Sequence, residues 1–152
     1  MQLDGGSYEI RPAAGDRIAV RLTGNVGAAK ADISVEGAQA DVKVQDTPHN
    51  NFHATIEVPK TADLVVQLSG GNLDMAAIAG NKDIESTAGN VTILVGNPDD
   101  YASVDAAVKA GDLNAPAFGG AKSGLLQQFN WSGRGKYRLR VRLGAGNLEL
   151  RI

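Results

Sequence analysis

The sequence predicts an all-β, single-domain fold, a β-solenoid of stacked coils with Gly-Asn or Gly-Asp corners, on three observations. A Gly-Asn pair falls at Gly71, Gly80 and Gly89, nine residues apart each time. After each pair, apolar and polar residues alternate. Leu73, Met75, Ile84, Val91 and Ile93 take one side and Asp74, Asp83 and Thr92 the other, with Lys82 the one lapse, which is the period of a strand with one buried face. Nineteen of the 152 residues are Gly, against a usual share of about 7%, and Val, Ile and Thr are many while long helix-forming runs are few.

The nine-residue interval has a direct physical reading. A strand of about five residues and a corner of about four fill it, and Gly supplies the φ > 0 backbone that a tight corner needs. The phrase returns at Gly111 (GDLNA) and Gly146 (GNLEL), with Leu113, Ala115, Leu148 and Leu150 inward and Asn114 and Glu149 outward. From Gly71 through Gly89 and Gly111 to Gly146 the steps are 18, 22 and 35 residues, near the repeat of stacked-coil architectures. The same Gly-Asn and Gly-Asp pairs are also type II′ hairpin turns, so an antiparallel β-sandwich is the alternative. Equal register at each nine-residue step favours the coils.

In chain order, residues 1–60 read as irregular or antiparallel strands capping one end. Ile18, Val20 and Leu22 alternate with Arg17, Ala19 and Arg21; Ile33 and Val35, Val42 and Val44, then Phe52, Ala54, Ile56 and Val58 continue the period. Gly15-Asp16, Gly24-Asn25, Gly37 and Asp46-Thr47-Pro48 punctuate them. Residues 61–115 hold the regular repeats, opened by Leu64, Val66 and Leu68 after Pro59, with a turn at Asn97-Pro98-Asp99-Asp100. Residues 116–124 read as a loop insertion on their Ala, Pro and Gly content. Residues 125–152 form the last strands, where Tyr137, Leu139, Val141 and Leu143 point one way and Lys136, Arg138, Arg140 and Arg142 the other, closing with Leu148, Leu150 and Ile152 inward.

Composition bounds the function. Three Phe, three Tyr and one Trp make a thin, aliphatic core. The formal net charge of −2 offers no reason to expect nucleic acid as partner. With no Cys there are no disulfides, thiolate nucleophiles or Cys-ligated zinc. No apolar run approaches the 18 or so residues of a spanning helix. The start MQLDGGSYEI has neither basic n-region nor apolar h-region, so an exported protein would have lost its leader.

Candidate chemistry is sparse. His49 and His53 lie four apart, but Pro48 and the alternating strand beyond argue against a shared helical face for a metal. Asp74 and Asp83 have the nine-residue spacing of calcium-binding coils. However, LSGGNLD lacks the third Gly of that pattern and Thr92 replaces the next Asp, so both read as outward polar positions. Asp99-Asp100 could serve as paired carboxylates, and read as a turn after Pro98. The cationic stripe Lys136, Arg138, Arg140 and Arg142, with Arg134 nearby, is the candidate ligand-binding surface, since Arg forks suit phosphate, sulfate or carboxylate. The competing reading is a charged face that blocks sheet aggregation, neutralised by neighbours such as Glu149. No catalytic residue, metal or cofactor is expected.

The repeated phrase and the run from Thr55 to Met75 resemble the bacterial putative-adhesin domains of unknown function, relatives of auto-transporter adhesin heads. The matching residues are Val58-Pro59, Leu64 to Leu68, Ser69-Gly70-Gly71-Asn72, Thr87-Ala88-Gly89-Asn90 and Lys109-Ala110-Gly111-Asp112. The resemblance covers Ile18 to Val108 and extends loosely beyond. It implies a β-solenoid outside the cytoplasm with no catalytic residues to carry over. The expected function is therefore a non-enzymatic structural or adhesin-like module of the bacterial cell envelope, with a cell-surface polysaccharide or another envelope protein as partner. The alternatives are a binding module for anionic glycan or lipid head groups through the basic stripe, and a carbohydrate-active hydrolase or lyase.

Overall fold

The computed structural model describes residues 1–15, 18–24, 30–36, 39–45, 52–59 and 63–151. Alternating patterns become strands throughout: β1 (Gln2–Leu3), β2 (Gly6–Pro12), β3 (Ala19–Gly24), β4 (Lys30–Glu36), β5 (Gln39–Gln45), β6 (Phe52–Val58), β7 (Leu64–Leu68), β8 (Gly71–Met75), β9 (Lys82–Leu94), β10 (Tyr101–Ala115), β11 (Gly120–Ser132) and β12 (Tyr137–Arg151). Two 3₁₀ turns, Pro98–Asp100 and Pro116–Phe118, are the only helical elements among the described residues. The protein is all-β.

Among the described residues, all twelve strands join one hydrogen-bonded sheet. The long strands β9, β10 and β12 each carry two limbs on either side of a glycine, Gly89, Gly111 and Gly146, all with positive φ. First limbs align β7, β9, β12 and β10 in parallel, and second limbs align β2, β8, β9, β12 and β10. These parallel registers exclude hairpins at Gly71-Asn72, Gly89-Asn90 and Gly146-Asn147. Gly6, Gly71, Gly89, Gly146 and Gly111 form one column. Only glycine fits it: a Cβ on Gly89 would sit 1.7 Å from the Gly71 carbonyl oxygen, and one on Gly146 1.8 Å from that of Gly89.

The inward sides of both limbs make the core. Leu73, Val91, Leu113 and Leu148, one from each repeat phrase, are fully buried, and Val66, Ile84 and Val141 stack in register on the other limb. Burying such aliphatic side chains is worth about 1.5–3 kcal/mol each.

Three expectations are corrected. First, the repeats do not stack in chain order: β12 lies between β9 and β10, in parallel with both. Second, the irregular or antiparallel strands expected over residues 1–60 are found only in part. β1 pairs in parallel with β7 and β5, and β2 in parallel with β8 and β6; only β3 and β4 are antiparallel, on β6 and β5. The phrase Gly6-Ser7-Tyr8-Glu9-Ile10 lies on Gly71-Asn72-Leu73-Asp74-Met75 and is one more copy. Third, residues 120–124 are no loop. They are the first limb of β11, paired antiparallel with β10 from Gly111 to Ala115, their glycines leaving room where Phe129 covers Gly120. The turns at Gly15-Asp16, Gly24-Asn25, Gly37 and Asp46-Thr47-Pro48, with Arg17 and Ile152, fall wholly or partly outside the described residues.

Candidate functional site

A sheet's outer face is set by strand alternation, so in-register parallel strands turn each outward position into a row of neighbours. Lys136 lies in the bend before β12, and Arg138, Arg140 and Arg142 are exposed along its first limb. The basic stripe is thus real as a line along the strand. Across the strands it is interrupted: one row runs Val65, Asp83, Arg140, Asp105, and the next Gln67, Glu85, Arg142, Ala107. The carboxylates beside the stripe are therefore Asp83, Glu85 and Asp105. Glu149, the neighbour suggested by sequence, is on the second limb and pairs with Arg151 at 3.3 Å.

Asp63, Val65, Asp83, Asp105, Arg138 and Arg140 line a groove of about 690 Å³ over this face. Its rim is fixed by backbone: the Arg138 N–H donates to Asn81 Oδ1 at 2.9 Å, and the Asn81 N–H to Asp63 Oδ1 at 2.9 Å. Val65, 59% exposed, supplies an apolar patch. Guanidinium donors and carboxylate acceptors alternate across it at the strand spacing of about 4.8 Å.

The second outer face carries an asparagine ladder. Asn90 Nδ2 donates to Asn72 Oδ1 at 3.2 Å and Asn147 Nδ2 to Asn90 Oδ1 at 3.1 Å, and Asp112 extends the row. This explains why the corner phrase is Gly-Asn: the amide, which both donates and accepts, links one copy to the next.

Lys82, the lapse in the pattern, points inward and is 2% exposed. Its stem lies between Leu64 and Leu139. Its ammonium donates to the carbonyls of Ile78 and Gly80 and, at 2.8 Å, to the Tyr101 hydroxyl, with the Tyr101 ring centroid 5.2 Å away. Burial pushes its pKa down to about 8 against the opposing pull of Asp63. Burial, then Asp100 and Tyr137, push the Tyr101 hydroxyl up to about 12. Every ammonium proton has an acceptor, so this group ties the corner at 78–80 to β10 rather than offering a nucleophile to solvent.

The remaining candidates stay apart. Asp74 and Asp83 are exposed on different limbs, Asp74 beside Glu9 and Thr92, Asp83 beside Val65 and Arg140. Among the described residues no group of three or more His, Asp or Glu could hold a metal. His53 is exposed on β6 opposite buried Phe52; His49 lies outside the described residues. Asp99 and Asp100 sit exposed in the first 3₁₀ turn, which Asn97 caps by accepting from the Asp99 N–H at 3.0 Å. No helix among the described residues is long and apolar enough to cross a membrane.

An all-β chain with two polar outer faces and a shallow mixed-charge groove is the class of protein so defined. No family model and no curated protein matches it. Among solved structures it is similar to a putative cell adhesion protein from Clostridium sporogenes, at a TM-score of 0.60 and 10% identity, over 99% of this chain and 89% of that one. That likeness shows a shared fold.

Proposed function

We propose that the chain is a non-enzymatic, adhesin-like β-solenoid module of the bacterial cell envelope, exposed outside the cytoplasm, whose ligand surface is the groove over β7, β9, β12 and β10. The observation that carries this reading is the row Val65, Asp83, Arg140, Asp105. A glycan presents hydroxyls that donate and accept together with apolar ring faces, and this row offers acceptor, donor, acceptor and an apolar patch in sequence. The column of glycines supports the solenoid, because it repeats one corner at each parallel step. The likeness to a putative cell adhesion protein supports the adhesin-like role.

The anionic-ligand reading through Lys136, Arg138, Arg140 and Arg142 is the second. It is weakened by the three carboxylates alongside, whose field offsets that of the guanidinium groups. A glycan array probed with the purified protein separates the two. The first reading expects retention on uncharged glycans that persists in high salt and falls at least tenfold in Arg140→Ala and in Asp105→Ala. The second expects retention on sulfated or carboxylated glycans, lost in salt and in Arg138→Glu with Arg140→Glu. Retention of none, or turnover of any, defeats the first.

A further inference from the structure

An antiparallel strand closes the β10 side of the sheet. β11 pairs with β10 along one edge, and among the described residues its other edge has no strand partner. Edge strands are normally guarded by charge, proline or shortness. At the other end β3 carries Arg21, and β4 carries Lys30, Asp32 and Glu36. β11 is 13 residues long, contains no proline, and has Lys122 as its one charge. At its corner Leu125 is 76% and Leu126 81% exposed, and Leu126 holds φ 54°, a region that leucine rarely adopts.

We propose that a second copy of this chain docks on β11, the two edges pairing antiparallel about a twofold axis through the Leu125–Leu126 corner. The bend of the strand sets the register. A twofold along the bisector of the corner turns the bent strand onto itself, reverses its direction and keeps the core side inward. Corner must therefore meet corner. A shift by one residue would set inward side chains against outward ones.

In the one register that satisfies both conditions, Leu125 faces Leu126 of the second copy, Gly124 faces Gln127, Ala121 faces Asn130 and Gly120 faces Trp131. The surface is self-complementary. The four leucines cover one another at the axis, and the largest inward residue, Trp131, meets a glycine. The strand's one charged position, 122, is set by this register beside position 129, a phenylalanine, so like charges do not fall at opposed positions. Phe129 and Trp131, half-buried against the end of the core, would lose their remaining exposure to water, and the two edges would share a ladder of backbone hydrogen bonds.

Sedimentation of the full chain from micromolar to millimolar concentration tests this. The expected species is a closed dimer, twice the 15.8 kDa chain. Leu125→Glu with Leu126→Asp, at two exposed sites, is expected to give a folded monomer at the same concentrations. Because the chain has no Cys, Ala121→Cys with Asn130→Cys should give a covalent dimer under a mild oxidant, while neither single variant should. A single-chain mass at every concentration overturns the proposal, even if β11 accepts a strand of another protein. So do open-ended assemblies, a dimer that survives the charged substitutions, and equal cross-linking in the single variants.

Discussion

The Lys82 ammonium donates to the Tyr101 hydroxyl across 2.8 Å, and their titrations pull stability in opposite directions. Unfolded, Lys82 holds its proton to the ordinary lysine value of 10.5; folded, to about 8. Between those values the unfolded chain binds more protons, so stability rises with pH. Tyr101 does the reverse: its proton leaves near 10 when unfolded and near 12 when folded, so stability falls through that range. Tyr8, raised by burial and by Asp4, adds to the fall. Urea midpoints should climb from pH 8 to a maximum near pH 10 and then drop. The rise scales as about 1.4 kcal/mol per unit of separation between the two lysine values. In Lys82→Met the rise should vanish while the tyrosine-linked fall remains; an unchanged rise would assign it to another group.

Glycine at the corner is a steric requirement that a control can isolate. Gly89→Ala would bring a Cβ within 1.7 Å of the Gly71 carbonyl oxygen at φ 125°, whereas a Cβ on Gly15 would meet nothing within 4 Å. Denaturant unfolding should show Gly89→Ala destabilised by more than about 3 kcal/mol, combining overpacking with backbone strain. Gly15→Ala should lie within about 0.5 kcal/mol of the parent.

This column also marks what the sequence could and could not reveal. Gly71, Gly89, Gly111 and Gly146 were readable as equivalent corners because the φ > 0 requirement and the flanking alternation are local. Their order was not, because every copy presents the same Gly, polar, apolar pattern and any copy can stack on any other. The 3₁₀ turn at 98–100 joins β9 to β10 past the place that β12 fills, and β11 covers the far side of β10. Gly6 escaped notice because Tyr8 disguises the small aliphatic repeat. Lys82 looked like an error because a lysine's long stem can reach carbonyl acceptors from an inward position. On the outer face, the basic stripe was legible along one strand, but the carboxylates beside it belong to strands distant in sequence.

Those carboxylates give Arg140 a structural role that can be measured. It stands between Asp83 and Asp105, and Arg140→Glu would line up three like charges at neighbouring positions. Each such opposition in a sheet costs about 0.2–1 kcal/mol. Thermal melts at low salt should show Tm lowered by about 2–4 °C for each kcal/mol lost, and the deficit should shrink in 1 M salt as the field is screened. A deficit insensitive to salt would point to lost packing of the arginine stem.

The asparagine ladder should behave as a chain of amide hydrogen bonds. Asn90 both donates to Asn72 and accepts from Asn147. Asn90→Asp keeps the acceptor but removes the donor and places a carboxylate against the Asn72 oxygen. The expected loss is about 1 kcal/mol at neutral pH, relieved below the aspartate's own pKa, when the protonated acid can donate again. A loss that persists at pH 3, compared with the parent at that same pH, would mean that the ladder does not couple the copies.

The position of β12 makes that strand indispensable. β9 and β10 share no ladder of their own, and each pairs with β12 along both limbs, through Leu139 to Arg151 on one side and Tyr137 to Glu149 on the other. In a simple chain-order stack, removing the last strand would trim one end and leave the rest folded, as expected where each repeat contacts only its neighbours in sequence. Here removal would open a gap through the middle, exposing Ile84, Val91 and Ile93 on one side and Val104, Val108 and Leu113 on the other. A chain ending at Lys136 should therefore lose cooperative unfolding altogether, read by the absence of a thermal transition in circular dichroism, and should regain it when residues 137–152 are supplied as a separate peptide. A truncated chain that still melts cooperatively would show that β9 and β10 can close on each other directly.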